Sequence, residues 1–286
     1  MSADQTRGLL LLVATPIGNV GDLAPRAAAA LADADVVACE DTRHTGQLLA
    51  RLGIKAKRLL AVHEHNEANM AASLVERVRA GEVVALVSDA GMPGVSDPGE
   101  RIVQAMADAG LPVSIIPGAS AGVAALVISG MPADRWVFEG FLPRKGAQRS
   151  RRLQAVAAET RTTVLYEAPH RVSATLRDLR HACGEDRPVA IVRELTKLHE
   201  EVWRGTLGGA CDRLGEPRGE HVLVLAGAVT AEPASDEEIA GALALELDGG
   251  ADNRIAVAEV SVALAVPKRR VYEIAVDLRK GRNLGG

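Results

Sequence analysis

Short apolar runs recur along the first part of the chain, at Gly8–Ala14, Val36–Cys39, Arg58–Val62, Val83–Val87 and Pro112–Ile116, and each ends in a polar, turn-rich loop. Each reads as a strand; Gly8–Ala14 and Val83–Val87 fit buried ones, the latter apolar on both faces. Helical patterns separate them: Pro25–Ala34, a segment from Asp41 or Thr42 to Arg51 stopped by Gly53, Ala68–Ala80, and a stretch from Gly99 to Ala109. Such alternation predicts a mainly parallel sheet with helices on both faces.

A helix over Ala121–Ser129 and the turn Gly130-Met131-Pro132 mark a crossing into a second set of elements. There the pattern gives strands at Trp136–Gly140, Arg161–Tyr166 and Pro188–Arg193, with shorter ones at Glu200–Arg204 and His221–Ala226. Helices are expected over Gln148–Ala158, up to Ala182, and near Leu207–Leu214. Val229–Ser235 has linker composition, and the remainder of the chain reads as all-helical. The expected class is α/β, with two α/β domains (1–119 and 120–228) and a helical C-terminal domain (229–286).

The chain is organised around Val83–Gly99, a buried strand followed by the loop Ser88-Asp89-Ala90-Gly91-Met92-Pro93-Gly94-Val95-Ser96-Asp97-Pro98-Gly99. Ligands of α/β sheets bind at the carboxyl ends of strands. Other strand ends are also polar: Thr15/Asn19, Glu40-Asp41-Thr42-Arg43-His44, His63/His65, Ser120, Glu167/His170 and Arg193/Glu194. Each alone reads as a cap or surface residue. Together they describe loops gathered at one edge, where a cleft between two domains would lie.

Composition narrows the picture. Of 286 residues 48 % are hydrophobic but only 2 % aromatic, so the core is built from aliphatics. A net charge of −4 leaves any polyanion contact to local patches. Cys39, Cys183 and Cys211 are scattered and odd in number, which favours a reducing compartment over disulfides or a zinc site. No run is long enough to span a membrane, so a soluble cytoplasmic protein is expected. His63-Glu64-His65 lacks a nearby third ligand, and no metal is expected.

Gly118-Ala119-Ser120-Ala121-Gly122 matches the GxSxG nucleophile elbow and keeps a serine hydrolase in play, although Pro117 breaks the junction and no oxyanion loop precedes it. Neither a P-loop nor a GxGxxG fingerprint occurs. Arg144, Lys145, Arg149, Arg151 and Arg152 form a basic run without an acid, suited to phosphate contact. Ala251–Ala265 and Pro267–Lys280 resemble a helix-turn-helix, with Ala265 in the turn. Lys268, Arg269, Arg270, Arg279, Lys280 and Arg282 decorate the second helix.

The motifs LLVATPIGN, CEDTRHTGQLL, LVSDAGMPGVSDPG, IIPGASA, EGFLPRKG, LYEAPHR and RELTKLHEE, in that order from Leu9 to Ala226, resemble the small-subunit ribosomal RNA cytidine 2′-O-methyltransferases of the tetrapyrrole-methylase superfamily. The resemblance implies S-adenosylmethionine in a cleft between two α/β domains. It puts Pro16, Ile17, Gly18, Ser88, Asp89, Ala90, Gly91, Val95, Ser96, Ala119, Ser120, Glu167, Ala168, Arg193 and Glu194 around the cofactor. It further implies a homodimer and a substrate in the decoding region of small-subunit ribosomal RNA, free or in the assembled 30S particle. A ribose hydroxyl needs help losing its proton, and Glu167, His44 and Asp41 are the expected candidates. Arg43 and Arg171 are candidates for flanking phosphates. A tetrapyrrole methyltransferase of precorrin or uroporphyrinogen type shares the fold; the basic run and helical tail speak against it.

Overall fold

A computed structural model of the chain describes residues 8–63, 65–213, 217–229, 234–264 and 266–283, with side chains up to 278. Glu64, Ala265 and the side chains of Arg279, Lys280 and Arg282 lie outside the described residues.

The first sheet is built from β1 (Leu9–Val13), β2 (Val36–Cys39), β3 (Leu59–Ala61), β4 (Val83–Leu86) and β5 (Val113–Ile116). Their connections are α1 (Pro25–Asp33), α2 (Thr42–Arg51), α3 (Glu67–Arg79) and α4 (Glu100–Asp108). The strands run parallel in the order β3-β2-β4-β1-β5. Successive side chains point to opposite faces, and both faces are covered along β1, β2 and β4, while at the edge strand β5 Val113 and Ile115 stand exposed. Leu10, Leu12, Val36, Ala38, Val84 and Leu86 meet α3 and α4 through Leu74, Val78, Ile102 and Met106. Val13, Val37, Cys39 and Ala85 meet α1 and α2 through Ala27, Leu31 and Leu49. This double cover is why the strands lack alternation in sequence; each buried Leu or Val contributes about 1.5–3 kcal/mol.

α5 (Ala121–Ser129) leaves the first sheet and packs on a second one through Ala125 and Leu126. That sheet orders β6 (Trp136–Phe141), β7 (Thr162–Glu167), β10 (His221–Leu225), β8 (Pro188–Arg193) and β9 (Glu201–Thr206). β6 is parallel to β7, and the other neighbours are antiparallel. Its far face is covered by α6 (Gly146–Ala158), α7 (Pro169–Cys183) and α8 (Leu207–Arg213). Both sheets belong to one compact unit, Met1–Ala228.

The second unit, Val229–Gly286, holds three helices among the described residues. α9 (Asp236–Asp248) starts in a capping box between Ser235 and Glu238, and α10 (Asn253–Ala263) is capped by Asp252. α11 (Lys268–Asn283) closes a core of Ile239, Leu243, Val257, Val260 and Val271. The expected two-helix motif is therefore part of a three-helix packing. Its basic residues are partly neutralised, since Arg270 pairs with Asp236 and Arg269 with Glu273.

Candidate active site

The loops after β1 and β4 are locked together. Thr15 and Gly91 exchange backbone hydrogen bonds of 2.9 and 3.2 Å, and the buried Thr15 hydroxyl donates to the Ser88 carbonyl at 3.1 Å. Gly91 has φ 83°; a Cβ there would press 3.2 Å from Ile17 Cγ2 and 3.3 Å from the Ala119 carbonyl. Three loops thus converge where only glycine fits.

Beyond Gly91 the β4–α4 loop carries a strained residue, Ser96, at φ 63°. The loop ends at Gly99, φ 144°, which caps α4 without a side chain of its own. The cap comes from elsewhere. The buried carboxylate of Glu67, at the start of α3, accepts from the Gly99 N–H at 2.8 Å and the Arg101 N–H at 3.1 Å. A negative group there also suits the helix dipole.

Between the sheets lies a cavity of about 390 Å³, within the range of small-molecule sites. The first sheet's loops supply Ile17, Ala90, Gly91, Met92, Val95, Ser96 and Asp97; Ser120 and Ala121 lie at the start of α5. The second sheet supplies Phe141, Tyr166, Glu167, Ala168, Pro169, Val192, Leu195, Glu220, His221 and Val222. Gly122 N–H donates to the Tyr166 phenol oxygen at 2.9 Å, and Phe138 and Phe141 stand edge-on to the ring.

Charges around the cavity are set by their partners. Burial, then the neighbouring Glu40 and Asp89, push the Asp97 carboxyl up to about 6, with the Ser88 hydroxyl pulling the other way. Burial and Asp89 also raise Glu40. Burial lowers His221, whose Nδ1–H donates to the Gly219 carbonyl at 2.8 Å. At the cavity wall, Glu167 accepts from the Thr175 hydroxyl at 2.5 Å and the Ala168 N–H at 3.1 Å, and pairs with Arg171 at 3.2 Å.

Of the residues expected around a cofactor, Ile17, Ala90, Gly91, Val95, Ser96, Ser120, Glu167 and Ala168 line the cavity. Pro16, Gly18, Ser88, Asp89 and Ala119 adjoin them in sequence. Asp89 Oδ1 accepts from the Asp41 N–H at 3.3 Å. Arg193 pairs with Glu201 and Glu194 with Lys197, and neither is among the residues lining the cavity. Asp41 caps α2 and pairs with Arg43, while Arg43 and His44 stand exposed on that helix, outside the cavity lining.

Two of the residues expected at the RNA have partners within the protein. Arg149 bonds Asp178, the Pro143 carbonyl and Thr175. Arg171 bonds Glu167 and the Leu142 carbonyl. Both guanidinium groups are consumed inside the second domain. Arg152 pairs with Glu139, while Arg144, Lys145 and Arg151 remain exposed. The nucleophile-elbow reading fares no better, because Ser120 sits in ordinary extended backbone, φ −140°, rather than a strained turn. Among the described residues no hydrogen bond joins it to a histidine.

The sequence pattern assigned no cofactor role to Met92, Asp97, Phe141, Tyr166 or His221, which line the cavity. One signal was available: the chain has two Phe and two Tyr, and Phe138, Phe141 and Tyr166 cluster on adjacent strands.

Comparison with known proteins agrees with this architecture. Residues 9–211 match the Tetrapyrrole (Corrin/Porphyrin) Methylases. The ribosomal RNA small subunit methyltransferase I of Synechocystis sp. is 44 % identical over 275 residues, 95 % of this chain and 98 % of that one. The protein of that name from Mycobacterium tuberculosis is 45 % identical over 285 residues, 98 % of each chain. Among solved structures, a uroporphyrin-III-C-methyltransferase from Thermus thermophilus superposes with TM-score 0.54 at 25 % identity, covering 77 % of this chain and 94 % of its own. A diphthine synthase superposes with TM-score 0.59 at 18 % identity, covering 78 % and 91 %. No helix among the described residues is long and apolar enough to cross a membrane. The chain therefore belongs to the tetrapyrrole methylase family and, within it, to the ribosomal RNA small subunit methyltransferase I enzymes.

Proposed function

We propose that the cavity between the two sheets binds S-adenosylmethionine and that the protein methylates a cytidine ribose 2′-hydroxyl in the decoding region of small-subunit ribosomal RNA. The observation that carries the reading is the cavity itself, formed by strand-end loops in a chain whose full-length relatives bear a ribosomal RNA methyltransferase name. The residues fit the cofactor. Ile17, Met92, Val95, Val192 and Leu195 offer apolar walls, backbone comes close at Gly91, and the carboxylates of Asp97, Glu40 and Asp89 favour a cationic ligand. Bound there, the cofactor supplies a methyl group already activated on a sulfonium. What remains for the protein is alignment, worth up to about 7–11 kcal/mol, and exclusion of water by the apolar walls.

Arg144, Lys145 and Arg151, exposed beside α6, are the cations we assign to the RNA backbone, with Arg43 on α2 and Lys268 in the second unit as further candidates. Val123 and Val127, one turn apart on α5, remain exposed, an apolar stripe suited to a second copy of the chain in a homodimer. Action on ribosomal RNA fits a cytoplasmic protein. The tetrapyrrole alternative is weaker, because the tetrapyrrole enzyme among the similar structures matches at only 25 % identity, far below the ribosomal RNA relatives.

The test is calorimetric titration with S-adenosylmethionine, followed by transfer of a tritiated methyl group to small ribosomal subunits lacking the modification. We expect micromolar binding and label recovered as 2′-O-methylcytidine. A protein that binds no cofactor and labels no RNA refutes the reading.

A further inference from the structure

Building on the methyltransferase reading above, we propose that Phe141 is the platform on which the extruded base of the target nucleotide stacks while its ribose hydroxyl meets the cofactor. A ribose hydroxyl reaches a methyl donor held between two sheets when its nucleotide is drawn out of the base stack and into the cavity. The protein must then offer the base a surface in place of its lost neighbours. In single-stranded recognition that surface is an aromatic side chain, set beside cations that hold the backbone.

An irregularity in β6 presents such a ring. Side chains three apart on a regular strand point to opposite faces. Phe138 pairs in register with Val164 and Phe141 with Tyr166, so three steps along β6 are matched by two along β7. The extra residue is taken up by a bulge between Phe138 and Gly140, and Gly140 lies in the left-handed region at φ 66°. Bulges are rare between parallel strands, and beside active sites they re-aim a side chain. Leu142 takes the place on the buried face among Leu165, Val172 and Leu176. Phe141 is turned instead to Tyr166, with ring centroids 5.6 Å apart and planes at 64°. Tyr166 is itself fixed by the Gly122 N–H and by Phe138. The Phe141 ring is therefore held in place and lines the cavity, yet 50 % of its surface stays open. Arg144 and Lys145, assigned above to the RNA backbone, stand exposed three and four positions further on. The cofactor's adenine has the same stacking chemistry. The apolar walls Ile17, Met92, Val192 and Leu195 are buried or half-buried and suit the cofactor, whereas the exposed ring next to the cations suits the RNA base.

The test compares wild type with Phe141→Leu and Phe141→Tyr. Leucine keeps an apolar wall without a flat ring, and tyrosine keeps the ring. In single-turnover methylation over a range of small-subunit concentrations, the Leu variant should be roughly 10–100-fold less efficient and the Tyr variant within about threefold of wild type. Calorimetric titration with S-adenosylmethionine should show the Leu variant losing far less in cofactor affinity than in methylation. A Leu variant whose loss of methylation is matched by lost cofactor affinity puts the adenine on the ring and overturns the proposal. So does a Leu variant as efficient as wild type, or a Tyr variant as poor as the Leu one. A check on wild type stands even where a variant does not fold. Ultraviolet cross-linking to unmethylated small subunits, then trypsin and mass spectrometry, should give the Trp136–Arg144 peptide carrying a cytidine on Phe141. Cross-links confined to other peptides overturn the assignment. Wild type that neither binds the cofactor nor labels RNA refutes the underlying functional reading instead.

Discussion

Removing the Glu67 carboxylate tests how the β4–α4 loop is held. Its Oε1 receives two backbone N–H groups, from Gly99 and Arg101, in a place shut off from water. Glu67→Ala leaves both donors unpaired, at about 1–3 kcal/mol each, or roughly 2–6 kcal/mol in all. For a unit of this size that lowers the melting temperature by roughly 4–24 °C. Glu67→Gln keeps a carbonyl oxygen able to accept both bonds and gives up only the charge assistance, about 1 kcal/mol. Urea denaturation of the two variants and wild type measures the difference, and cofactor titration reads the loop they anchor. An alanine variant within about 0.5 kcal/mol of wild type, or a glutamine variant as damaged as the alanine one, would refute the assignment of Glu67 as the cap of α4.

Further outcomes come from other contacts. Because the folded-state pKa of Asp97 is raised from 3.8 to about 6, its ionisation opposes folding, so the group's contribution to stability falls as pH climbs through that window. Asp97→Asn should accordingly melt higher than wild type at pH 7.5, with the gain fading as pH drops from 6 to 4; scanning calorimetry across pH checks this. Gly91→Ala forces a side chain into φ 83° against Ile17 and Ala119, which should cost about 1–3 kcal/mol and weaken cofactor binding measured by calorimetry. Arg149→Ala should lower stability by about 1–3 kcal/mol yet leave the salt dependence of RNA binding unchanged, whereas Arg144→Ala should do the reverse, reducing the slope by about one. A fluorophosphonate probe should leave Ser120 unlabelled in mass spectrometry.

Strands of the first sheet were readable because burial on both faces writes itself as uninterrupted aliphatic sequence, as in Val36–Cys39. The strand-end loops were readable for a related reason, since glycine and proline cluster where Gly91 and Gly99 need positive φ. Glu67 left no such trace. It looks like any acidic residue in a helix's first turn, and its partners lie more than thirty positions away. Arg149 misled for the opposite reason. In a run of basic residues nothing marks the one whose fork meets Asp178, Pro143 and Thr175 on elements packed behind it. Asp97 sat in plain view but passed for a turn residue, because its environment is made by Glu40 and Asp89 from other strand ends.

The order of strands in the second sheet has a consequence for synthesis. β10, the last strand to leave the ribosome, lies at the centre, between β7 and β8. The first sheet is complete once residue 116 has emerged and can fold while the rest is still being made. The second cannot close until His221–Leu225 arrives to join its two halves, and only then do both walls of the cavity exist. A nascent or truncated chain ending before β10 therefore has half a site, and cofactor can stabilise only a protein whose two sheets are already finished.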